Sequence, residues 1–205
     1  MIEFKNNLYI TKKELEKVIQ ILPNAQDKFF MMCLFYGLGS KKFSILGNLK
    51  KNQIDLIKKE IVLEDKKISM DDYFCKIAKQ TLEQKVYQIL FANSRTADEY
   101  DIVTRSDYVI TAKPSTKNNG LVPLSFMGLK VRFKTIKKFL DLEGLTVNSL
   151  ETSYVIEHLL RIKINWTVVE ITIELNKMQM NMSPYRVYTI MNNIKNDFLK
   201  EIKEI

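Results

Sequence analysis

The chain has 205 residues, 46% of them hydrophobic, which is enough for an ordinary globular core. No apolar run approaches the roughly 20 residues of a membrane span, and residues 1–12 lack a signal-peptide pattern, so we expect a cytoplasmic protein without membrane contact. The formal net charge of +8 favours a polyanionic partner such as nucleic acid, although an acidic protein or membrane face would also fit.

The two cysteines indicate neither a disulfide framework nor a metal site. Cys33 and Cys75 lie in apolar stretches and have no metal-binding residues at suitable spacing. The sequence therefore predicts buried, reduced thiols, with no metal and no cofactor.

The first third of the chain reads as three helices. Thr11 and Glu14 form a capping box that begins a helix, and Pro23 ends it. A strongly apolar helix is predicted over residues 26–36, followed by glycines that suit a C-cap. Residues 41–49 look like a short third helix.

The middle of the chain combines a hairpin with less regular structure. Residues 59–70 alternate apolar and polar side chains on both sides of a polar turn, which predicts a β-hairpin. Asp71 can cap a helix that runs to about residue 82. Residues 90–117 are the least regular stretch and contain one predicted strand, 108–111.

The last part of the chain is helical. Predicted helices cover residues 125–142, 146–162 and 166–176, and Ser183 with Pro184 begins a final helix. The predicted fold is therefore mainly α with a small antiparallel β-sheet, in a single domain over residues 1–205.

Five short motifs in one order connect these elements to a known family. They occupy residues 9–16, 35–46, 56–62, 144–154 and 183–189. The second is similar to Thr-Gly-Leu-Arg-x-x-Glu-Leu, the fourth to Gly-x-Thr-x-His-x-Leu-Arg-His-Thr-Phe, and the fifth to Ser-x-x-x-x-Tyr-Thr. In order and separation they resemble the catalytic domain of tyrosine recombinases (phage integrases) over essentially the whole chain.

The resemblance implies a chemistry that this chain has largely lost. In the family, a tyrosine attacks a DNA phosphodiester while two arginines clamp the phosphate oxygens. Here the first arginine position is Gly39, and the histidine and second arginine positions are Asn148 and Glu151. Glu151 places a negative charge where the family attracts a phosphate, so no catalytic residues are expected.

A few chemistry-bearing residues remain in the family frame. Tyr188 matches the nucleophile, as a vestigial candidate, and the hairpin lysines Lys66 or Lys67 match the catalytic lysine. His158 and Trp166 fall at positions better explained by helix packing than by phosphate binding.

The resemblance therefore implies a catalytically inactive protein that binds double-stranded DNA. We expect a transcriptional regulator or repressor of a phage or mobile element; the integrase-like lysogeny repressors of SPbeta-type Bacillus phages are similar in lacking recombinase chemistry. The family's clamp needs a second DNA-binding domain, which a longer protein or a partner would supply. The expected DNA contacts are Lys41, Lys42, Lys66, Lys67, Lys130, Arg132, Lys134 and Arg186.

Two alternatives stay open. The chain could be an active, divergent recombinase that uses Tyr188 with arginines recruited from Arg161 and Arg186. It could also be a protein-interaction module accessory to a recombinase, because in the family the C-terminal helix, here about 184–205, docks into a neighbouring protomer. Its apolar stripe consists of Ile194, Phe198 and Ile202.

Overall fold

The computed structural model describes residues 9–39, 43–91, 98–116 and 119–203, the last nine of them (195–203) by backbone alone. The structure divides into two compact units. The first unit comprises the described residues up to Leu15 and those from Gly144 onward, and the second unit runs from Glu16 to Glu143. Within these described ranges no helix has both the length and the apolar character needed to cross a membrane. The single domain over residues 1–205 that the sequence predicts stays a prediction.

The first helix, α1 (Lys12–Ile19), crosses the division between the units. Its predicted capping box is confirmed: the Thr11 amide and hydroxyl donate to Glu14 Oε2, both at 2.8 Å, and the Glu14 amide donates to Thr11 Oγ1 at 3.1 Å. Local sequence alone therefore sets where this helix begins.

A central apolar helix organises the second unit. Helix α2 (Ala25–Phe35) is apolar on all sides and buries every residue from Phe29 to Phe35. Helix α4 (Asp72–Glu83) packs on it, with the Phe29 and Phe74 rings 5.5 Å apart. The Asp71 carboxylate caps α4 by accepting from the Phe74 amide at 2.9 Å, as predicted.

The predicted third helix is shorter than expected. Helix α3 covers only Ser44–Gly47 and follows Phe43, which adopts a left-handed conformation with φ 58°. A non-glycine residue in this region interrupts helical geometry, which explains the late start. Residues 41 and 42 lie outside the described ranges.

The predicted hairpin is confirmed and belongs to a three-stranded antiparallel sheet. The strands are β1 (Ile54–Asp55), β2 (Glu60–Val62) and β3 (Lys67–Ser69), in the order β1-β2-β3. Ile61 pairs with Ile68, and both are buried. The short β1 strand, which follows a 3-10 helix, was not predicted.

A second sheet corrects the prediction of one small sheet. Strands β4 (Val86–Gln88) and β5 (Glu99–Asp101) pair antiparallel, and the Tyr87 and Tyr100 rings stack 5.0 Å apart. The predicted strand at 108–111 was wrong: Tyr108 and Thr111 each form only an isolated bridge. The aromatic contact joins two short strands that are not neighbours in sequence. No local sequence pattern therefore predicts this sheet.

Helix α5 (Phe126–Phe139) completes the second unit. The Ser125 hydroxyl caps it by accepting from the Gly128 amide at 3.2 Å. Leu129, Phe133 and Ile136 form its buried face, as their helical spacing predicts.

The first unit contains three helices around their own apolar cluster. They are α6 (Val147–Ile162), α7 (Val168–Lys177) and α8 (Pro184–Lys203). Thr146 and Thr167 form capping boxes at the first two, close to the predicted starts. The buried cluster consists of Val155, Ile156, Leu159, Leu160, Ile171, Leu175, Val187, Ile190 and Met191. The mainly α fold with small antiparallel sheets is confirmed.

Candidate nucleic-acid interface

The two α6 residues that the sequence resemblance matches to the family's histidine and second arginine differ in exposure. Asn148 lies in the first turn and is exposed, while its carbonyl accepts from the Thr152 hydroxyl at 2.6 Å. Glu151, one turn later, is only 8% exposed. Neither an amide nor a carboxylate supplies the fork of cationic donors that an arginine offers to a phosphate. The α6 positions therefore offer no phosphate clamp.

Gly39, which the sequence resemblance matches to the family's first arginine, lies in the turn after α2. Gly37 ends the helix with φ 80°, a conformation that suits glycine. Gly39 is buried and has no side chain that could donate to a phosphate. The neighbouring lysines Lys41 and Lys42, expected as DNA contacts, lie outside the described residues.

Tyr188 is part of the packing of the first unit. It lies half-buried on α8 and contacts the apolar cluster, with Val187 and Met191 buried on either side. These contacts account for an aromatic residue at this position without any catalytic role.

His158 and Trp166 also make structural contacts. The His158 Nε2 atom lies 3.2 Å from Glu174 Oε1. The Trp166 indole donates to the carbonyls of Leu159 at 3.0 Å and Lys163 at 2.8 Å. Both side chains hold helices of the first unit together, which supports the structural interpretation of each.

The hairpin lysines have nearby negative charges. Lys67 lies 3.3 Å from the Glu60 carboxylate, although its side chain stays 61% exposed. Lys66 follows Glu64 and Asp65, so the charges of residues 64–67 cancel. This hairpin tip attracts a polyanion less than its two lysines alone would suggest.

Arg132 differs from its expected role as a DNA contact. Its side chain is 7% exposed, and its Nε donates to Asp27 Oδ1 at 2.6 Å. The guanidinium also contacts the Gln26 side-chain oxygen at 3.3 and 3.4 Å and lies 4.6 Å from the centre of the Tyr87 ring. Burial is the largest single influence and would lower the pKa of Arg132, but Asp27, Tyr87 and Tyr100 together outweigh it and raise that pKa. We therefore leave Arg132 out of the proposed DNA contacts.

The partners of Arg132 are themselves fully engaged. Asp27 also accepts from the Tyr87 hydroxyl, at 3.1 Å to each carboxylate oxygen, and from Asn24 Nδ2 at 2.8 Å. The Asn24 side-chain oxygen accepts from the Gln88 amide at 2.8 Å. These bonds join α2, β4 and α5 in what we call the Arg132 network, comprising Asn24, Gln26, Asp27, Tyr87 and Arg132. Its hydrogen-bonded members lie up to 106 positions apart in sequence, so no local pattern could reveal it.

The outward face of α5 presents two exposed lysines of the expected set. Lys130 and Lys134 are exposed, and neither has an ion-pair partner within the described ranges. Met127 and Val131 lie on the same face, each 59% exposed. The sequence prediction missed these two as surface residues, although their i, i+4 spacing beside the lysines was the available signal.

The remaining expected contact is Arg186 on α8. Its side chain is exposed in the first turn, and its amide donates to the Ser183 hydroxyl at 3.4 Å. In the part of the chain that the structure describes, no group of three or more His, Cys, Asp or Glu residues could hold a metal ion. Burial raises the pKa of the Cys33 thiol well above its ordinary value, which disfavours the reactive thiolate.

Comparison with known proteins adds the family. The family model described as MrpR, C-terminal catalytic domain, matches residues 9–205. Among curated proteins the comparison found no match. Because the matched span covers far more than half of the 205 residues, the chain belongs to this tyrosine-recombinase-like family.

Proposed function

We propose that this chain is a catalytically inactive member of its family that binds double-stranded DNA in the cytoplasm. It would act as a transcriptional regulator, most simply a repressor, of a phage or mobile element. The proposal rests on Glu151: the resemblance puts this residue where the family has a phosphate-clamping arginine, and its carboxylate is only 8% exposed.

The size of the loss supports binding without cleavage. Removing one preorganised donor from a charge-stabilising site typically slows a reaction by about 10²–10³-fold. Here Gly39 and Glu151 replace two such donors, and Glu151 also reverses the charge. DNA binding makes weaker demands, because each lysine near a phosphate favours association by releasing a counterion.

The proposed DNA contacts rank by the availability of their charge. Lys130 and Lys134 come first, since they are exposed on an acid-free helix. Arg186 is exposed as well, whereas Lys66 and Lys67 are partly neutralised by their neighbours. Lys41 and Lys42 stay in the set on sequence grounds alone.

A salt titration tests the binding proposal. Affinity for duplex DNA from the protein's own gene neighbourhood is measured by fluorescence anisotropy at several salt concentrations. We expect log affinity to fall linearly with log salt, and the double variant Lys130→Gln/Lys134→Gln to reduce the slope by about 2. The matched control is Lys177→Gln, at a lysine 2.9 Å from Glu174, which should leave the slope unchanged. A flat salt response in the unmodified protein would refute phosphate binding.

A cleavage assay tests the absence of catalysis. The protein is incubated with a nicked suicide duplex that traps covalent tyrosine–DNA complexes, and the products are separated under denaturing conditions. We expect no covalent complex. A complex that forms, and disappears in Tyr188→Phe, would establish the active-recombinase alternative instead.

We also propose that the chain self-associates through α8. Such an interaction is what the alternative function, a protein-interaction module accessory to a recombinase, requires. The motivation is the stripe of Ile194, Phe198 and Ile202, although the side chains at 198 and 202 lie outside the described set. Light scattering on the chain and on a version ending at Asn193 tests this: we expect a concentration-dependent mass that the truncation abolishes. A constant monomer mass would contradict it.

A further inference from the structure

Helix α5 has two opposite faces of different chemistry. Leu129, Phe133 and Ile136 point into the unit, while Met127 and Val131 point outward and are each 59% exposed. Their i, i+4 spacing places them side by side on the helix surface. Two adjacent, well-exposed apolar side chains on a capped helix form a surface without a covering partner in the described chain.

Every charged residue of α5 itself is positive. Helix α5 contains five cationic residues and no acidic one. Two of the cations have partners inside the unit: Arg132 pairs with Asp27, and Lys137 donates to the Glu143 carbonyl at 2.7 Å. Lys130 and Lys134 stay exposed on the outward face with Met127 and Val131. An acid-free, cationic rim complements a polyanion.

The dimensions and chemistry of this face fit the major groove of DNA. A helix about 10–12 Å in diameter fits a groove about 12 Å wide and 8.5 Å deep. The thymine 5-methyl is the apolar group that base pairs present in that groove, and lysines on the same face can reach phosphates. Without any acidic side chain, α5 cannot accept from the cytosine amino group through a carboxylate.

We propose that Met127 and Val131 recognise thymine 5-methyl groups in the major groove while Lys130 and Lys134 contact flanking phosphates. The outward face of α5 is then the part of the molecule that distinguishes base sequence. This inference rests on the proposed DNA-binding function, and it adds the identity of the group that is read.

Replacing thymine by deoxyuridine tests the inference directly, because the substitution removes only the methyl group. Duplexes are first selected by the protein from a randomised library, and each thymine of a selected site is then replaced in turn. Burying one methyl group corresponds to about a fourfold change in affinity. We therefore expect losses of roughly fourfold at one or two positions and none elsewhere.

Matched variants connect the methyl effect to α5. Val131→Ala should bind the thymine and deoxyuridine duplexes equally at one sensitive position, and Met127→Ala should do so at another. Val169→Ala, at a valine 70% exposed on α7, is the control and should keep the full difference. Thermal unfolding checks that each variant folds, and the salt slope should be unchanged in all three, since no charge is altered.

The possible failures are distinguishable. Failure to enrich any duplex from the library, together with no measurable binding to the starting pool, would refute the proposed function itself. Salt-dependent binding with no thymine–deoxyuridine difference would leave that function standing and overturn the role of Met127 and Val131. Normal methyl sensitivity together with loss of self-association in Val131→Ala would also overturn it, because the face would then contact protein rather than DNA.

Discussion

The inner and outer faces of α5 carry the same kind of charge with opposite consequences. On the inner face, Arg132 is buried against Asp27 and contributes to the fold. On the outer face, Lys130 and Lys134 are exposed and available to a partner. A positive charge in the sequence therefore says little about nucleic-acid binding until the structure shows which face of its helix it occupies.

Removing the inner charge should give the largest effect on stability. Arg132→Met leaves the Asp27 carboxylate buried without its cation, which typically costs about 3–5 kcal/mol. Urea unfolding measures the loss, and Lys130→Met on the outer face should change stability by less than about 0.5 kcal/mol. The double variant Asp27→Leu/Arg132→Met should recover part of the loss, because the buried charge is gone but Tyr87 and Asn24 lose their acceptor. Equal effects at positions 130 and 132 would abolish the distinction between the faces.

Alkaline pH should lower the stability of the protein through Tyr87, another member of the Arg132 network. Burial raises the pKa of Tyr87, whereas an unfolded tyrosine titrates near pH 10. Above about pH 10 the unfolded chain loses a proton that folded Tyr87 retains, so stability is full below that pH and falls above it, by up to about 1.4 kcal/mol per pH unit for this group. Urea unfolding at pH 9, 10 and 11 should give a shallower decline in Tyr87→Phe. The same decline in both proteins would contradict this.

Removing the N-cap of α5 should lower stability moderately, because it weakens the helix that carries both faces. Ser125→Ala removes the oxygen that accepts from the Gly128 amide and should cost about 1 kcal/mol. Ser125→Asn retains a capping oxygen and should stay close to the original stability. Thermal unfolding compares the two, and an equal loss in both would show that the cap contributes little.

The smallest expected effects are on the salt dependence of DNA binding, and they compare the contribution of α5 with that of the hairpin. Lys134→Gln should lower the salt slope of DNA binding by about 1, while leaving stability within about 0.5 kcal/mol. Lys67→Gln should lower the slope less, because Glu60 lies 3.3 Å from Lys67. Anisotropy titrations on one duplex provide the comparison; a larger effect at Lys67 would make the hairpin the principal contact.

Local signals predicted most of the fold, and non-local contacts account for the rest. The starts of α1, α4 and α5 follow from the caps Thr11, Asp71 and Ser125, each of which acts within three residues. The β4–β5 sheet was missed because its strands have only three residues each, too few for a clear pattern, and the Tyr87–Tyr100 stack that joins them is not local in sequence.

The candidate site divides in the same way. The outward position of Lys130 and Lys134 followed from helical periodicity. The burial of Arg132 did not, because its partner Asp27 lies 105 positions away.

The mutual hydrogen bonds and ion pair of the Arg132 network have an evolutionary consequence. Asn24, Asp27, Tyr87 and Arg132 satisfy one another, so changing one of them alone strands a buried polar group or charge. Related sequences should therefore keep these four residues together or replace them as a set, with apolar side chains of similar volume. Drift at Lys130 or Lys134 carries no such constraint, so the outer side of α5, the proposed DNA contact, can change while its inner side stays fixed.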